Sequence, residues 1–371
     1  MKSRRARRLA LAGGIGAAGV GATILGITAL GTAAAASHPT LVVYSAQGYD
    51  KAMVAAFEHQ YPSIPVTLND NSTGPLLTQV EAERNNPQWG LLWVDGATAF
   101  AGLDTQGLLA RHTAPPKSGF NALGKSVYPA NGSFTPTGVT LVPGVAYNAS
   151  KISAAKLKTL NDILNYAKAH PGKVGMNDPT QSGPTFPLIA GVMNYLGHGS
   201  VSVGIRLGEQ YFLNLKKYGL VSNGTNGSTL PKLDNGTYDI AMVQSSAAIG
   251  DTRAGGDPTA PAPSTNRVTY VGPATLLPSA IGIDKKASPA VQAEAKLFIK
   301  FALSKLGQRI MQYSTQGDPY GDGLYYPVVK GVSPKKGLPS LASVPTQAIN
   351  PYKWGPLQAS INRWWVQHIL N

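Results

Sequence analysis

The sequence predicts an α/β fold in two domains, and three observations lead to that prediction. A strand, a polar turn and a helix recur three times between residues 40 and 105. The same alternation returns in the middle of the chain, from about Tyr147 to Tyr270. The chain has 371 residues, which is longer than most chains that fold around a single hydrophobic core. Strands that alternate with helices are typical of parallel sheets covered by helices.

The three units of the first half are defined by apolar runs and by the turns that end them. Residues 40–44, 65–68 and 89–94 are the predicted strands. A helix follows each strand; the first carries Met53, Val54 and Phe57 on one face, and the second is expected to end near residue 86. Trp89 and Trp93 fall in or beside the third strand, where we expect them to belong to the core.

The second half repeats this pattern with longer helices. Residues 173–176, 240–243 and 280–283 are predicted strands, and residues 255–266 a surface loop. Helices are predicted near residues 157–170, 185–196, 205–218 and 289–312. The segment 351–371 holds three of the five tryptophans and is expected to end in a packed helix.

The first 36 residues resemble an export signal. Lys2 and four arginines precede an apolar, small-residue stretch that reaches about residue 30, and Ala34 and Ala36 occupy the two small positions of a cleavage site. The sequence therefore predicts removal of residues 1–36 by a cut before Ser37, and a mature protein outside the cytoplasm. Retention of the segment as a membrane anchor is the alternative, and the arginine pairs leave both the general and the twin-arginine export routes open.

Composition excludes several classes of protein. The chain has no cysteine, which excludes disulfides, thiolate metal sites and a lipid-modified N-terminal cysteine. Loss of the five basic residues in the signal would lower the formal net charge from +14 to +9. Only 13% of residues are charged, and the basic ones are scattered, so no nucleic-acid partner is expected. No other apolar run approaches the ~20 residues of a membrane span, so a soluble mature chain is expected.

Four loops that follow predicted strands share one chemistry. They contain residues 45–48, 72–75, 182–185 and 244–246, and each offers hydroxyl or amide groups at the start of a predicted helix. A helix N-terminus exposes unpaired N–H groups and a partial positive charge, which suits an anion or a polar oxygen. Serine and threonine at such positions also serve as ordinary helix caps. The loops 72–75 and 182–185 echo each other in the two halves, which suggests two lobes that face each other across a cleft.

Several motifs, taken in order, resemble type II periplasmic solute-binding proteins of ABC importers, in the branch of ferric-ion and 2-aminoethylphosphonate binders. The motifs that carry the resemblance span nearly the whole mature chain: residues 41–45 (LVVYS), 72–74 (STG), 92–95 (LWVD), 107–109 (GLL), 145–148 (VAYN), 178–183 (DPTQSG), 233–236 (LDNG) and 298–307. The resemblance implies two α/β lobes of mostly parallel sheets flanked by helices. It also implies two hinge crossings, which we place near residues 140–147 and 273–283. One lobe then comprises residues 37–142 plus 276–371, and the other comprises residues 143–275.

The same resemblance implies a ligand site between the lobes and a set of contacts. On the first lobe they fall on Ser45, Gln47, Ser72, Thr73, Gly74 and Asp95. On the second lobe they fall on Tyr147, Ser182, Gly183, Thr185, Gln244, Ser245 and Ser246. The expected partners are a small-molecule ligand and a membrane ABC permease, with a monomeric protein, no cofactor and no catalytic residues. A receptor or sensor in place of the importer remains open.

The nature of the ligand is the remaining question. Hydroxyls, amides and helix N-termini favour an oxyanion, a phosphonate or a small organic acid. Asp95 would either bind an ammonium group of a zwitterion or cap the next helix. Iron-binding members have adjacent tyrosines where this chain has residues 244–246 (QSS), and the pair Tyr325–Tyr326 is interpreted as packing, which argues against iron. A secreted hydrolase is the alternative class of protein, and His198 is the one residue considered as the partner of a catalytic nucleophile. The chain, however, has no G-x-S-x-G or H-E-x-x-H motif.

Overall fold

A computed structural model describes residues 38–252, 265–313 and 323–371. The predicted export signal, the cut before Ser37 and most of the predicted loop 255–266 lie outside these ranges. The described residues form one compact unit that begins at His38. The predicted α/β class is confirmed, since one central sheet is flanked by helices.

Nine strands of the described residues form the sheet. They are β1 (Leu41–Ser45), β2 (Val66–Asp70), β3 (Leu91–Asp95), β4 (Phe134–Asn148), β5 (Val174–Asn177), β6 (Val221–Asn223), β7 (Ile240–Val243), β8 (Asn266–Ile283) and β9 (Thr346–Gln347). Their order is β2-β1-β3-β8-β4-β7-β5-β6, and β9 pairs with β8. The outer groups β2-β1-β3 and β7-β5-β6 are parallel, as predicted for the two halves. The joints at β3–β8, β8–β4 and β4–β7 are antiparallel.

Helices cover this sheet. They are α1 (Asp50–Gln60), α2 (Thr73–Ala82), α3 (Ala97–Thr105), α4 (Ala122–Ser126), α5 (Leu160–Ala169), α6 (Thr185–Leu196), α7 (Val201–Lys217), α8 (Asn226–Asp234), α9 (Ser245–Asp251), α10 (Pro289–Ala302), α11 (Lys305–Tyr313), α12 (Pro351–Trp354) and α13 (Gln358–Trp365). Met53, Val54 and Phe57 are buried on one face of α1, as the spacing predicts. The first turn of α5 is fixed by a capping box between Thr159 and Asp162, which satisfies backbone donors that a helix start leaves unpaired.

Two predicted elements differ from the structure. The expected helix over residues 289–312 is two helices, because the chain breaks at Ser304, whose Oγ accepts a hydrogen bond from the Gly307 amide and starts α11. The expected strand over residues 280–283 is only the end of β8, which is 18 residues long. Prolines and glycines within β8 hide its length in the sequence, yet it pairs with β4 from Phe134 to Asn148.

The core consists of separate apolar clusters on the two sides of the long β4–β8 pair. Two clusters contain residues of β1 and β3; the fully buried Trp93 belongs to one and Trp89, which is 4% exposed, to the other, as expected of core residues. The largest cluster lies over β5 and β7 and includes Trp354 and Trp365 from the end of the chain. The C-terminal segment therefore packs as predicted. It contacts α7 through the Phe212–Trp365 ring pair and α3 through Gly355, so it touches both halves.

No single helix within the described ranges is long and apolar enough to cross a membrane. The helices α6 and α7 pass that criterion only as a pair, and a bend of 110° separates them.

Candidate ligand-binding site

A carboxylate lies at the centre of the first group of predicted site residues. Asp95 ends β3 and is 3% exposed. Its Oδ1 accepts a hydrogen bond from Gln47 Nε2 at 3.1 Å, and its Oδ2 accepts one from the Tyr325 hydroxyl at 2.6 Å. Ser45 Oγ accepts from the Gln47 amide at 3.2 Å and so fixes the turn that carries the glutamine. We call Ser45, Gln47, Asp95 and Tyr325 the carboxylate cluster.

The carboxylate cluster presents hydrogen-bond acceptors. Burial raises the pKa of Asp95 to about 6, although the hydrogen bonds from Tyr325 and Gln47 act in the opposite direction. Because Gln47 must turn its amide nitrogen to the carboxylate, its Oε1 points elsewhere, and this buried oxygen has no partner among the described residues. An unpaired buried oxygen beside a buried carboxylate suits a ligand that donates hydrogen bonds.

The structure also shows what Asp95 does not do. The helix α3 begins after Gly96, and no side chain caps that N-terminus among the described hydrogen bonds. The Asp95 oxygens are bonded to Gln47 and Tyr325 instead. Capping of α3, the alternative role considered for Asp95, is therefore not seen.

The loops 72–75 and 182–185 meet face to face. The amide of Gly74, in the first turn of α2, donates to the carbonyl of Gln181 at 3.1 Å. A Cβ on Gly74 would lie 1.9 Å from the Thr180 carbonyl oxygen, and one on Gly183 would lie 2.5 Å from Thr73 Oγ1. Both glycines are therefore required by close approach of the two loops. We call Ser72–Gly74 and Thr180–Gly183 the facing loops.

The second-half loop is held by side chains at the ends of neighbouring strands. Asn177 ends β5, and its Nδ2 donates to Ser182 Oγ at 3.2 Å. The Thr185 amide donates to the Ser182 carbonyl at 3.2 Å, and Thr185 then opens α6. Thr73 and Thr185 are 5% and 2% exposed, so two threonines at helix starts are buried at or beside the facing loops.

The third group lies where α9 meets β4. Ser245 Oγ bonds to Thr140 Oγ1 at 2.7 Å and accepts from the Leu141 amide at 3.1 Å. The Ser246 amide donates to Thr140 Oγ1 at 3.1 Å, and Ser246 Oγ accepts from Gln244 Nε2 at 2.9 Å. All three predicted residues, 244–246, are fully buried. The Ser245 hydroxyl and the Ser246 amide therefore dock α9 onto β4.

The pairing of strands brings most of these residues to the carboxyl ends of the strands within each half. The Asn71 amide donates to the Ser45 carbonyl, so the ends of β1 and β2 lie together. In the second half β5 and β7 are neighbours, which places Asn177 next to the end of β7 and hence next to Gln244. Ligands of open α/β sheets bind at these carboxyl edges.

Tyr147 is the exception among the predicted site residues. It pairs with Ile240 at the beginning of β7, whereas Gln244 follows the end of that strand. Its ring packs in the large apolar cluster of the second half and is 6% exposed. The structure does not bring Tyr147 to the other predicted contacts.

Three residues with roles at the site were not assigned to it from the sequence. Thr140 and Asn177 position the second-half loops, and Tyr325 bonds to Asp95 across 230 residues of sequence. The predicted packing role of Tyr325–Tyr326 is confirmed by their burial, and Tyr326 donates to the Pro339 carbonyl at 2.6 Å. Tyr325 combines packing with its bond to the carboxylate, a contact for which the sequence holds no local signal.

The described residues contain no group of three or more histidine, cysteine, aspartate or glutamate side chains placed to hold a metal ion. His198, the residue considered for hydrolysis, lies in an exposed turn after α6 with a positive φ of 49°.

Comparisons with known proteins agree with this architecture. The family model for bacterial extracellular solute-binding proteins matches residues 52–341. The iron-bound HitA from Pseudomonas aeruginosa is similar in structure, with a TM-score of 0.69 and 21% identity, over 87% of this chain and 98% of HitA. AfuA from Actinobacillus pleuropneumoniae, with bound fructose-6-phosphate, gives a TM-score of 0.71 and 18% identity, over 89% and 98%.

A periplasmic thiamin-binding protein gives a TM-score of 0.65 and 15% identity, over 90% of this chain and 96% of that protein. No curated protein sequence matches this chain. At these identities the solved structures support the shared two-lobed fold, while the family match covers most of the sequence. The chain belongs to the bacterial extracellular solute-binding proteins, which bind small ligands and work with ABC permeases.

Proposed function

We propose that this protein captures a small zwitterion or anion, such as an aminophosphonate, a phosphonate or an organic acid, and delivers it to an ABC importer. The ligand would lie between a lobe of residues 37–142 plus 276–371 and a lobe of residues 143–275. The two strands that pass through both halves, β4 and β8, would carry the hinge.

The observation that carries this proposal is the polarity of the site. The helices α2 and α6 begin at or beside the facing loops, and helix N-termini favour an anionic group. The carboxylate cluster offers Asp95 and the unpartnered Gln47 Oε1, which favour a cationic or hydrogen-donating group. A ligand with an acidic end and an amino end would satisfy both.

The residues at the α9 corner argue for this ligand class over a ferric ion. Gln244, Ser245 and Ser246 supply no phenolate; the Ser245 hydroxyl docks α9 onto β4, and the Ser246 hydroxyl accepts from Gln244 Nε2. A hard trivalent ion prefers anionic oxygen ligands, of which this corner has none. One of the similar structures binds iron and another binds a sugar phosphate. An experiment must therefore identify the ligand class of this protein.

A matched pair of ligands tests the proposal. We expect 2-aminoethylphosphonate to raise the melting temperature of the mature protein more than ethylphosphonate, which lacks the amine. A ligand that binds only the folded state adds about 2.7 kcal/mol at a hundredfold excess over Kd. If ferric citrate or thiamine stabilised the protein and neither phosphonate did, the proposed ligand class would be wrong.

Two variants locate the site in the same assay. Thr73→Val removes a hydroxyl at the facing loops and should weaken phosphonate binding by about 1–3 kcal/mol. Asp95→Asn should abolish the preference for the amine and leave ethylphosphonate binding intact. Thr105→Val is the matched control, since its hydroxyl bonds only to the Gly102 carbonyl at the exposed end of α3. Equal binding by all variants would reject the assigned site.

A further inference from the structure

A second pocket lies on the surface of the second half, outside the candidate ligand site. Its volume is about 320 Å³, and it is lined by residues 149–153, Lys156, Tyr166 and His170. Sites for small molecules commonly have volumes of about 300–1,000 Å³. None of the thirteen predicted ligand contacts lines this pocket, which is large enough for a ligand of its own.

The strand β7 separates this pocket from the candidate ligand site. Asn148, which adjoins the pocket, donates its amide hydrogen to the carbonyl of Asp239, the residue before β7. Gln244 follows the other end of that strand. Four residues of a strand span about 13 Å, so the two sites lie at opposite edges of the sheet. Every residue that lines the pocket falls between positions 149 and 170, so the pocket belongs to one half alone.

Part of the pocket is apolar and firmly held. Ile152 is 7% exposed and belongs to the large apolar cluster of the second half. Tyr166 and His170 are one turn apart at the end of α5, and their ring centroids are 4.4 Å apart. Asn148 fixes the adjoining turn, because its Oδ1 accepts from the Ser150 amide at 2.9 Å and its carbonyl accepts from the Ile152 amide at 3.1 Å. These side chains can hold the apolar or aromatic body of a ligand.

The charged side chains that line the pocket are basic. Lys151 and Lys156 line it, and neither forms an ion pair with a residue that the structure describes. Asp239 lies behind the wall, where it is 6% exposed and its Oδ2 accepts from the Tyr166 hydroxyl at 2.9 Å. Asp162 is bonded to backbone amides at the start of α5. Two lysines without a carboxylate partner favour an anion beside them.

We infer that this pocket binds a small organic phosphate or sulfate, with its anionic group between Lys151 and Lys156 and its apolar body against Ile152 and Tyr166. The lysine ammonium groups attract the anion as point charges, and removal of the apolar body from water adds affinity. Both lysines are exposed, so binding weakens as the salt concentration rises. The inference does not rest on the proposed function, because the two sites share no residue.

Phenyl phosphate tests this inference together with phenol, which lacks the anion, and inorganic phosphate, which lacks the ring. Ligand-observed NMR on the mature protein at low ionic strength should show saturable binding of phenyl phosphate and weaker binding of the other two probes. Lys151→Gln combined with Lys156→Gln should weaken phenyl phosphate binding by about tenfold or more. Lys296→Gln combined with Lys300→Gln is the matched control, because it removes the same charge from exposed lysines of α10 and should leave that binding unchanged.

Further variants locate the anion and separate this site from the proposed function. Ala149→Glu adds a carboxylate at an exposed position of the wall and should weaken phenyl phosphate binding, whereas Ala55→Glu, on the exposed side of α1, should not. The double lysine variant should keep the preference for 2-aminoethylphosphonate over ethylphosphonate, since that preference tests the interlobe site alone. The inference is overturned if phenyl phosphate shows no saturable binding, or if both double variants weaken its binding equally. Binding that is weakened by Thr73→Val and not by the double lysine variant would place the anion in the interlobe site and would also overturn it.

Discussion

Replacement of Gly74 by alanine tests whether the facing loops close a cleft. Gly74 is the second residue of α2, and its φ lies outside the left-handed region, so alanine fits the helix itself. Alanine also favours a helix by up to about 1 kcal/mol over glycine. The added Cβ, however, would lie 1.9 Å from the Thr180 carbonyl oxygen and 2.7 Å from its carbon.

These neighbouring atoms are backbone and cannot rotate away. The loops must separate by at least about 1.1 Å before the Cβ reaches the 3.0 Å that real contacts respect. Separation breaks the hydrogen bond from the Gly74 amide to the Gln181 carbonyl, with a net loss of about 0.5–1.5 kcal/mol. We therefore expect Gly74→Ala to favour the open arrangement and to change the free energy of unfolding by less than about 1 kcal/mol.

Pulsed electron resonance between two spin labels measures this opening. The chain has no cysteine, so Ala55→Cys on α1 and Ser202→Cys on α7, both exposed, give specific labels on the two halves. The distance distribution should move to longer values in Gly74→Ala. Gly227→Ala is the matched control, because Gly227 is the second residue of α8 and its nearest neighbour would be Thr225 Oγ1 at 3.9 Å.

Two outcomes would refute the reasoning. An unchanged label distance in Gly74→Ala would show that the loops adapt locally and do not report closure. A loss of several kcal/mol in urea unfolding, with the distance unchanged, would show that the facing loops belong to one rigid core.

Three further predictions concern titration and buried hydroxyls. Burial and then the charge of Asp234 raise the pKa of Asp251 to about 8, so the folded state keeps a proton that the unfolded chain releases near pH 4. The free energy of unfolding, measured by urea titration, should fall as pH rises from 4 to 8. In the Asp251→Asn variant this fall should be smaller by about 2 kcal/mol or more. An identical fall in the variant would contradict the prediction. The pKa of Asp95 is about 6, so the carboxylate becomes neutral below that pH. Calorimetry should therefore show that the affinity for an amine-bearing ligand falls by up to about tenfold per pH unit below 6. The affinity for an amine-free analogue should not change over the same range. Ser245→Ala leaves the buried Leu141 amide without its acceptor and should cost about 1–3 kcal/mol in urea unfolding, and a loss under about 0.5 kcal/mol would mean that water replaces the hydroxyl.

The sequence predicted best the elements that local signals delimit. The helix α6 begins and ends at the predicted residues because Pro184 precedes it and Gly197 follows it. The strand β7 is a short apolar run, fully buried between β4 and β5, and was predicted with the right bounds. Strand-to-helix loops were also recognisable, because glycine, serine and threonine mark helix starts.

Contacts between residues far apart in the sequence could not be predicted from local patterns. β8 contains Gly272, Pro273 and Pro278, which usually interrupt strands, but β4 and β3 supply partners along its length. The contact of Tyr325 with Asp95 depends on the same assembly and has no periodic signature. Tyr147 was predicted as a ligand contact because of its position in a family motif. The antiparallel pairing of β4 with β7 places it at the opposite end of β7 from Gln244.

The position of β8 in the sheet has a consequence for how the protein folds. The strand β3 ends at Asp95, but its partner on one side is residues 279–283 of β8, almost two hundred positions later in the chain. Until that segment is available, β3 presents an open edge that can pair with another chain. Contacts of such high sequence separation slow folding, so the first half of the protein is the one most exposed to aggregation before the whole chain is complete.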